Sequence, residues 1–264
     1  MDWSKIKTIF ILTFLLLDVY LMYQYMIIRD SNKYGLLTEA SFEDKLKADE
    51  IEYVVLPKQP IKDQYVSAKP KSFSKEEVTK LKGQTIIIVD GTMIQSIFDK
   101  TVQLTAKNEQ TEITSLLKEF ILNGEEYQFG YMDDKKNTIT YYQQYKNRPF
   151  YNNINGKLTF YLSKDKTIVS YEQTYLDGIE ELTGKEEILS PLKAIETLHQ
   201  KGLLKPKSKV TKIEFGYSTL VQLAASQVLT PTWQIVVDSQ ESLFVNAFEG
   251  QMIQFNTEEN NIVE

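Results

Sequence analysis

From Ile9 to Ile28 the chain runs twenty residues with a single ionisable group, Asp18, near the middle. At about 1.5 Å per residue such a run makes a helix of roughly 30 Å, the thickness of a bilayer's hydrocarbon core. Lys5 and Lys7 precede it, whereas Asp30, Glu39, Glu43 and Asp44 outnumber Arg29 and Lys33 beyond it. By the positive-inside rule this predicts a cytoplasmic amino terminus and an exported, extracellular remainder. A signal peptide would end in a small-x-small cleavage site. This run ends instead in Tyr23-Gln24-Tyr25-Met26-Ile27-Ile28, whose aromatic residues suit a membrane interface. The expectation is an uncleaved, single-pass transmembrane anchor in the cell membrane.

Asp18 is the residue that such an anchor must explain. A carboxylate at mid-bilayer costs about 2.5–3.5 kcal/mol, so it faces protein or water or is protonated. The helix face around it holds Ile11, Phe14, Leu15, Leu21, Met22 and Tyr25. Together these residues predict a contact with a transmembrane helix of another molecule. The competing reading is a neutral acid bonded within its own helix.

Composition narrows the rest. There is no cysteine, which excludes disulfides, thiolate catalysis and cysteine-ligated metals. A net charge of −6 disfavours nucleic acid as a partner, because phosphate binding needs a basic surface. With 42% hydrophobic and 12% aromatic residues, the exported part can build a core.

Three segments are expected: residues 1–29 as cytoplasmic tip and anchor, 30–110 as a small α+β domain, and 111–264 as a second exported domain. After a polar stalk over Asp30 to Tyr34, Ser41-Phe42-Glu43-Asp44 marks a helix start and Ile51 to Leu56 reads as a strand. Ser74-Lys75-Glu76-Glu77 has capping-box spacing. Thr85 to Val89 reads as a buried strand, turned at Asp90-Gly91 into a partner over Thr92 to Phe98.

From Thr111 one pattern runs twice. Ile113, Leu116, Leu117, Phe120 and Ile121 make an apolar helical stripe ended by Gly124. Strands follow at Tyr127 to Tyr131, Thr138 to Tyr145, Leu158 to Leu162 and Ile168 to Tyr175. The second copy opens at Ser190-Pro191, a serine cap with proline in the first turn, and lines its helix with Leu192, Ile195 and Leu198. Its strands are expected at Val210 to Tyr217, Trp233 to Val237, Leu243 to Phe248 and Met252 to Phe255. The fold class is therefore α+β, with antiparallel sheets each covered by helices.

The search for chemistry leads away from catalysis. Gly216-Tyr217-Ser218 lacks the last glycine of a nucleophile elbow. His199 is the only histidine, so neither a triad nor a zinc site can be assembled from the usual parts. Glu180-Glu181, Glu186-Glu187 and Asp133-Asp134 read as solvated charges. No cofactor or metal is expected, and the chain reads as a non-enzyme. The cluster Tyr141, Tyr142, Tyr145, Phe150 and Tyr151 suits a binding surface, for which Tyr142, Phe150 and Tyr151 are candidates. Strand alternation equally places part of it in the sheet core.

At this point both ends of the chain resemble one family. The opening MDWSKIKTIFILTFLLLDVYLMYQ is similar to the start of the YycI (WalI) family. So are Ser190-Pro191-Leu192-Lys193-Ala194-Ile195, Glu214-Phe215-Gly216-Tyr217, Thr230-Pro231-Thr232-Trp233 and Val245-Asn246-Ala247-Phe248-Glu249-Gly250. The last meander also resembles a PepSY-like unit. What the resemblance implies is a membrane-anchored regulator of cell-wall metabolism. It would associate with the sensor histidine kinase WalK (YycG), which works with the response regulator WalR (YycF), and with the sister protein YycH (WalH). No catalytic residue carries over. The alternative is an exported ligand-binding or protease-restraining module tethered to the membrane.

Overall fold

The computed structural model describes residues 3–31, 35–57, 62–103, 109–182, 184–222 and 226–255. Its Cα positions fall into two compact units, Met1–Glu52 with Lys205–Ser208, and Tyr53–Leu204 with Lys209–Glu264. The first holds helices α1 (Trp3–Ser31) and α2 (Gly35–Ala48). Among the described residues Phe42, Leu46 and Ile51 are its buried apolar ones. Its two chain segments are tied by backbone bonds, Lys207 N–H to the Asp49 carbonyl at 2.9 Å and Glu52 N–H to that of Ser208 at 3.3 Å.

The expected membrane helix is met as far as its backbone, which is helical throughout Trp3–Ser31. Among the described residues, however, no helix is long and apolar enough to cross a membrane. The polar stalk falls mostly on residues 32–34, outside the described residues.

The second unit contains, after the two-residue β1 (Glu52–Tyr53), strands β2 (Lys62–Asp63) and β3 (Val66–Pro70), helix α3 (Lys75–Val78), and the hairpin β4 (Gln84–Val89) and β5 (Met93–Gln103). Helix α4 (Glu109–Phe120) then leads into β6 (Tyr127–Asp133), β7 (Thr138–Tyr145), β8 (Arg148–Tyr151), β9 (Lys157–Leu162) and β10 (Thr167–Thr174). Short strands β11 (Leu176–Glu181) and β12 (Glu186–Glu187) precede α5 (Pro191–Gln200), β13 (Lys209–Gln222), β14 (Gln227–Val237), β15 (Glu241–Asn246) and β16 (Met252–Ile253).

The repeated pattern of the sequence is present in the pairing. Strands β6, β7, β9 and β10 form one antiparallel meander. Strands β13, β14, β15 and β16 form the other. Over the first, Ile113, Leu116 and Leu117 of α4, with Ile121 just past its end, share a core with Ile139, Leu158, Phe160, Ile168 and Tyr171. Apolar residues at near-3.6 spacing give the helix one buried face, which packs on the sheet. The helix ends at Phe120 and the chain turns at Asn123, at φ 52°; Gly124 follows because nothing larger fits, since a Cβ there would stand 1.9 Å from the Leu117 carbonyl oxygen. In the second half, the Ser190 hydroxyl caps α5 by accepting from Lys193 N–H at 3.2 Å. Trp233 is fully buried, its indole N–H donating to the Leu189 carbonyl at 3.0 Å.

Three expectations need correction. Ser41 does not start a helix but lies within α2, which begins at Gly35. The boundary near residue 110 does not separate sheets: β5 pairs along β10, and β3 pairs with both β14 and β11. Strand β5 covers the β10 edge of the first meander, and β3 covers the start of β14 that β15 leaves unpaired, since unpaired stretches leave a row of unbonded backbone groups. Strand β4, read as buried, is half-exposed and alternating, since it lies at the end of the sheet.

What joins the halves is β8. Lys146 and Asn147, both at positive φ, turn the chain back from β7. Strand β8 then lies parallel to β13, with Phe150 opposite Tyr217 and Tyr151 opposite Ser218. One fourteen-stranded sheet results.

Helix α3 carries the capping box read from the sequence. Glu77 N–H donates to the Ser74 hydroxyl at 3.3 Å, and Ser74 N–H donates back to the Glu77 carboxylate at 2.9 Å. The bond from Ser74 N–H, then that from Lys71, holds the Glu77 carboxyl down to about 2 from an ordinary 4.5. A carboxyl held low in the folded state stabilises it above its unfolded value and stops doing so as pH falls through the folded one. Ser74→Ala is expected to cost about 1 kcal/mol at pH 7 by urea denaturation. Between pH 4.5 and 2, Glu77→Gln should show a flatter stability profile than the parent chain.

Candidate functional site

Two features meet the requirements of a site: helix α1 and an open groove on the second unit. In α1 the face expected to make contacts is exposed. Ile11, Phe14, Leu15, Leu21 and Met22 stand at 53–66% exposure, and Asp18 is exposed beside them. The other side of the helix is no different, with Leu12, Leu16 and Val19 at 60–63%. The structure therefore does not single out one side of the helix. The side chain of Tyr25 lies outside the described residues.

The groove has a volume of about 920 Å³ and draws on β6, β7, β14, β15, β16 and on residues just after β8, β14 and β16. Tyr131 and Tyr142 pack tilted at 6.3 Å on one part of its lining, and Phe244 and Phe255 meet edge to face at 4.9 Å on another. Tyr151 bridges the two pairs from below, 6.1 Å from Tyr142 and 5.2 Å from Phe244. The Tyr142 hydroxyl donates to Asn152 Oδ1 at 2.7 Å, and Gln234 Nε2 donates to the Ser242 hydroxyl at 3.3 Å. Burial, reinforced by Tyr131, raises the Tyr142 pKa, so this phenol is a neutral donor at any ordinary pH.

Gly130 sets the wall of the groove. A Cβ there would lie 2.7 Å from the Tyr142 ring, so only glycine lets the ring lie against the strand. The register of β6 against β7 also shifts between Phe129 and Tyr131. The bulge turns Tyr131 toward Tyr142 while Phe129 stays edge-on to Tyr141.

The three aromatic residues expected on a binding surface are all buried: Tyr142 at 4%, Phe150 at 0% and Tyr151 at 1% exposure. Tyr142 alone lines the groove. Phe150 packs on the other face of the joint with Val66, Leu176, Tyr217 and Leu229. Alternation along β8 sends adjacent residues to opposite faces, and both faces are covered here. The residues that sequence reasoning missed are Gly130, Tyr131, Gln234, Phe244 and Phe255. They come from elements far apart in the chain, and no local pattern links them.

Among the described residues, the Tyr151 hydroxyl is buried without a hydrogen-bond partner. A buried unsatisfied hydroxyl costs about 1–3 kcal/mol, so Tyr151→Phe is expected to hold or raise stability by about 1 kcal/mol. Guanidinium unfolding would show it, and a loss instead would mean that the hydroxyl is bonded.

A second polar cluster sits under the joint. The Asp63 carboxylate, 5% exposed, is paired with Arg148 and accepts from Gln64 N–H at 2.8 Å and the Tyr217 hydroxyl at 3.2 Å. The Arg148 guanidinium lies 5.1 Å over the Phe215 ring. Its groups are committed to one another, which marks it as a structural tie. His199 stands in the last turn of α5. Among the described residues, no group of three or more histidines and carboxylates is placed to hold a metal ion.

These features define an α+β protein of two helix-and-meander halves joined around an uncharged aromatic groove. The YycI protein family model matches residues 32–248, and the chain belongs to the YycI family. That is a regulatory accessory family associated with the WalK/WalR two-component system. Among solved structures, an uncharacterized protein from Eubacterium rectale is similar at 10% identity and a TM-score of 0.46, over 78% of this chain and 91% of that one. The Bacillus megaterium YpeB C-terminal domain is similar at 11% identity and a TM-score of 0.38, over 72% of this chain and 90% of that one. Both scores lie below one half and carry no argument, so the PepSY-like ending rests on sequence pattern alone. No curated protein matches the chain.

Proposed function

We propose that the chain is a membrane-anchored, non-enzymatic regulatory subunit of the WalK (YycG) kinase, acting with a YycH-type sister protein. Helix α1 would cross the membrane beside the kinase's own helices, with the second unit exported. The observation that carries this reading is the apolar surface of α1, exposed on every side at Phe10 to Met22. A helix apolar all round needs an apolar surrounding. In the sequence the run continues through Met26-Ile27-Ile28, enough to reach the roughly 30 Å of a bilayer core.

A bound subunit shifts the kinase only by its differential affinity for the active and inactive states. A coupling of about 1–3 kcal/mol changes output roughly five- to 150-fold. Asp18 supplies the polar contact, since an acid in the membrane interior is stable only against protein or water. Asp18→Leu is expected to lower the kinase co-purified from detergent-solubilised membranes several-fold. Exchange of the whole helix for an unrelated span should abolish co-purification. Unchanged recovery and unchanged target-gene output in both variants would reject the membrane contact.

A further inference from the structure

We propose that the groove between β6 and β16 binds a neutral oligosaccharide. The assignment does not depend on how the chain meets the kinase; it rests on the lining. Among the described residues fourteen form it, and none of these is Asp, Glu, Lys, Arg or His. In a chain whose residues are 25% charged, a lining of that size would carry about three or four charges by composition alone. Excluding them removes the means of holding a phosphate, a carboxylate or an amine.

Half of the lining residues carry an amide or hydroxyl, among them Asn152, Gln234, Gln240, Ser242 and Gln254. That speaks against a purely apolar ligand, because each such group would lose water without replacement. A sugar chain presents both complements at once. Its C–H faces stack on rings, and its hydroxyls give and take hydrogen bonds in the plane of an amide. Each ring pair offers a ligand one partly exposed member, Tyr131 at 46% exposure and Phe255, while the buried Tyr142, Phe244 and Tyr151 back them. Asn152 and Gln234 are oriented by the bonds from Tyr142 and to Ser242, and each amide has further donor or acceptor capacity beyond that bond. A volume of about 920 Å³ lies within the roughly 300–1,000 Å³ of small-ligand sites.

An extended peptide is the rival occupant, since β6 pairs only β7, and β16 only β15, among the described residues. Yet β6 is interrupted by the bulge at Gly130, and β16 is two residues long. Bulges and very short edges are devices that discourage strand addition. The walls therefore offer side chains and rings rather than a template for a strand.

The test uses the full chain in detergent micelles, titrated by calorimetry with two probes: the tetrasaccharide of β-1,4-linked N-acetylglucosamine, and maltotetraose. A capped peptide of alternating threonine and valine serves as the rival. Saturable binding of at least one saccharide is expected, weakened tenfold or more by Tyr131→Ala and by Gln240→Ala. Both side chains are exposed, so circular dichroism should not change. Three results would each overturn the proposal. One is no saccharide binding at about 10 mM, where even a site of Kd ~1 mM is filled. The others are binding indifferent to both substitutions, and tighter binding of the peptide. Kinase recovery from the same preparation reports on the regulatory reading separately, so the two can fail independently.

Discussion

Replacing Gly216 with alanine is expected to cost about 3 kcal/mol, the upper end of what overpacking a full site costs. Gly216 lies on β13 where β8 is laid parallel to it, and a Cβ there would stand 2.4 Å from the Pro149 carbonyl oxygen and 2.6 Å from the Tyr151 ring. The first of these is backbone and cannot swing aside. Either β8 moves off β13, opening the joint between the two meanders, or the Tyr151 ring is pushed from beneath Tyr142 and Phe244. For a unit of this size the melting temperature should fall by about 6–12 °C. Gly91→Ala provides the contrast. Gly91 has φ of 73° with nothing near its absent Cβ, so only the left-handed backbone is penalised, by about 1–2 kcal/mol. Equal losses in the two variants would refute the close-approach argument. Tyr131 would report on the groove, since ligand binding in Gly216→Ala should weaken even in the fraction that stays folded.

The second large effect is expected at Arg148. Removing it as Arg148→Ala leaves the Asp63 carboxylate buried with only Gln64 N–H and the Tyr217 hydroxyl for company. Breaking a buried pair from one side costs about 3–5 kcal/mol, mostly because the remaining charge is stranded. Arg148 is partly exposed, at 28% for its side chain, so the lower end of that range applies. The loss should be reversible in part: Asp63→Asn in the Arg148→Ala background removes the stranded charge and should recover more than 1 kcal/mol. A strictly additive double-mutant cycle would show that the two residues are not coupled. Burial, followed by the adjacent Asp63, raises the Tyr217 pKa, so its hydroxyl remains a donor through the accessible pH range.

Several elements were legible because their causes are local. Ser74 and Ser190 announce helix starts through a hydroxyl three residues from an unbonded amide, and both caps form. The stripe from Ile113 to Ile121 needs nothing beyond helical periodicity to declare a buried face, and it is buried. The turn at Asp90-Gly91 follows from two residues that tolerate positive φ, which both adopt. Even the doubled helix-and-meander order could be read, since each strand alternates within its own few residues. The family followed from the two ends of the chain on the same footing, residue by residue.

What the tertiary structure decided is which surfaces meet. Alternation says that one face of a strand is buried, but not against what, and so Phe150 and Tyr151 could be read as a binding surface when each is covered on its own side. Strands β4 and β5 gave no sign of joining β10, because edge pairing is made through backbone groups that every residue carries. The parallel contact of β8 with β13 depends on a glycine whose role is visible only once Pro149 lies against it. The groove belongs to the same order of facts. Its tyrosines, phenylalanines and amides are unremarkable where they stand in the chain, and they acquire a common chemistry only when the two meanders bring them around one space.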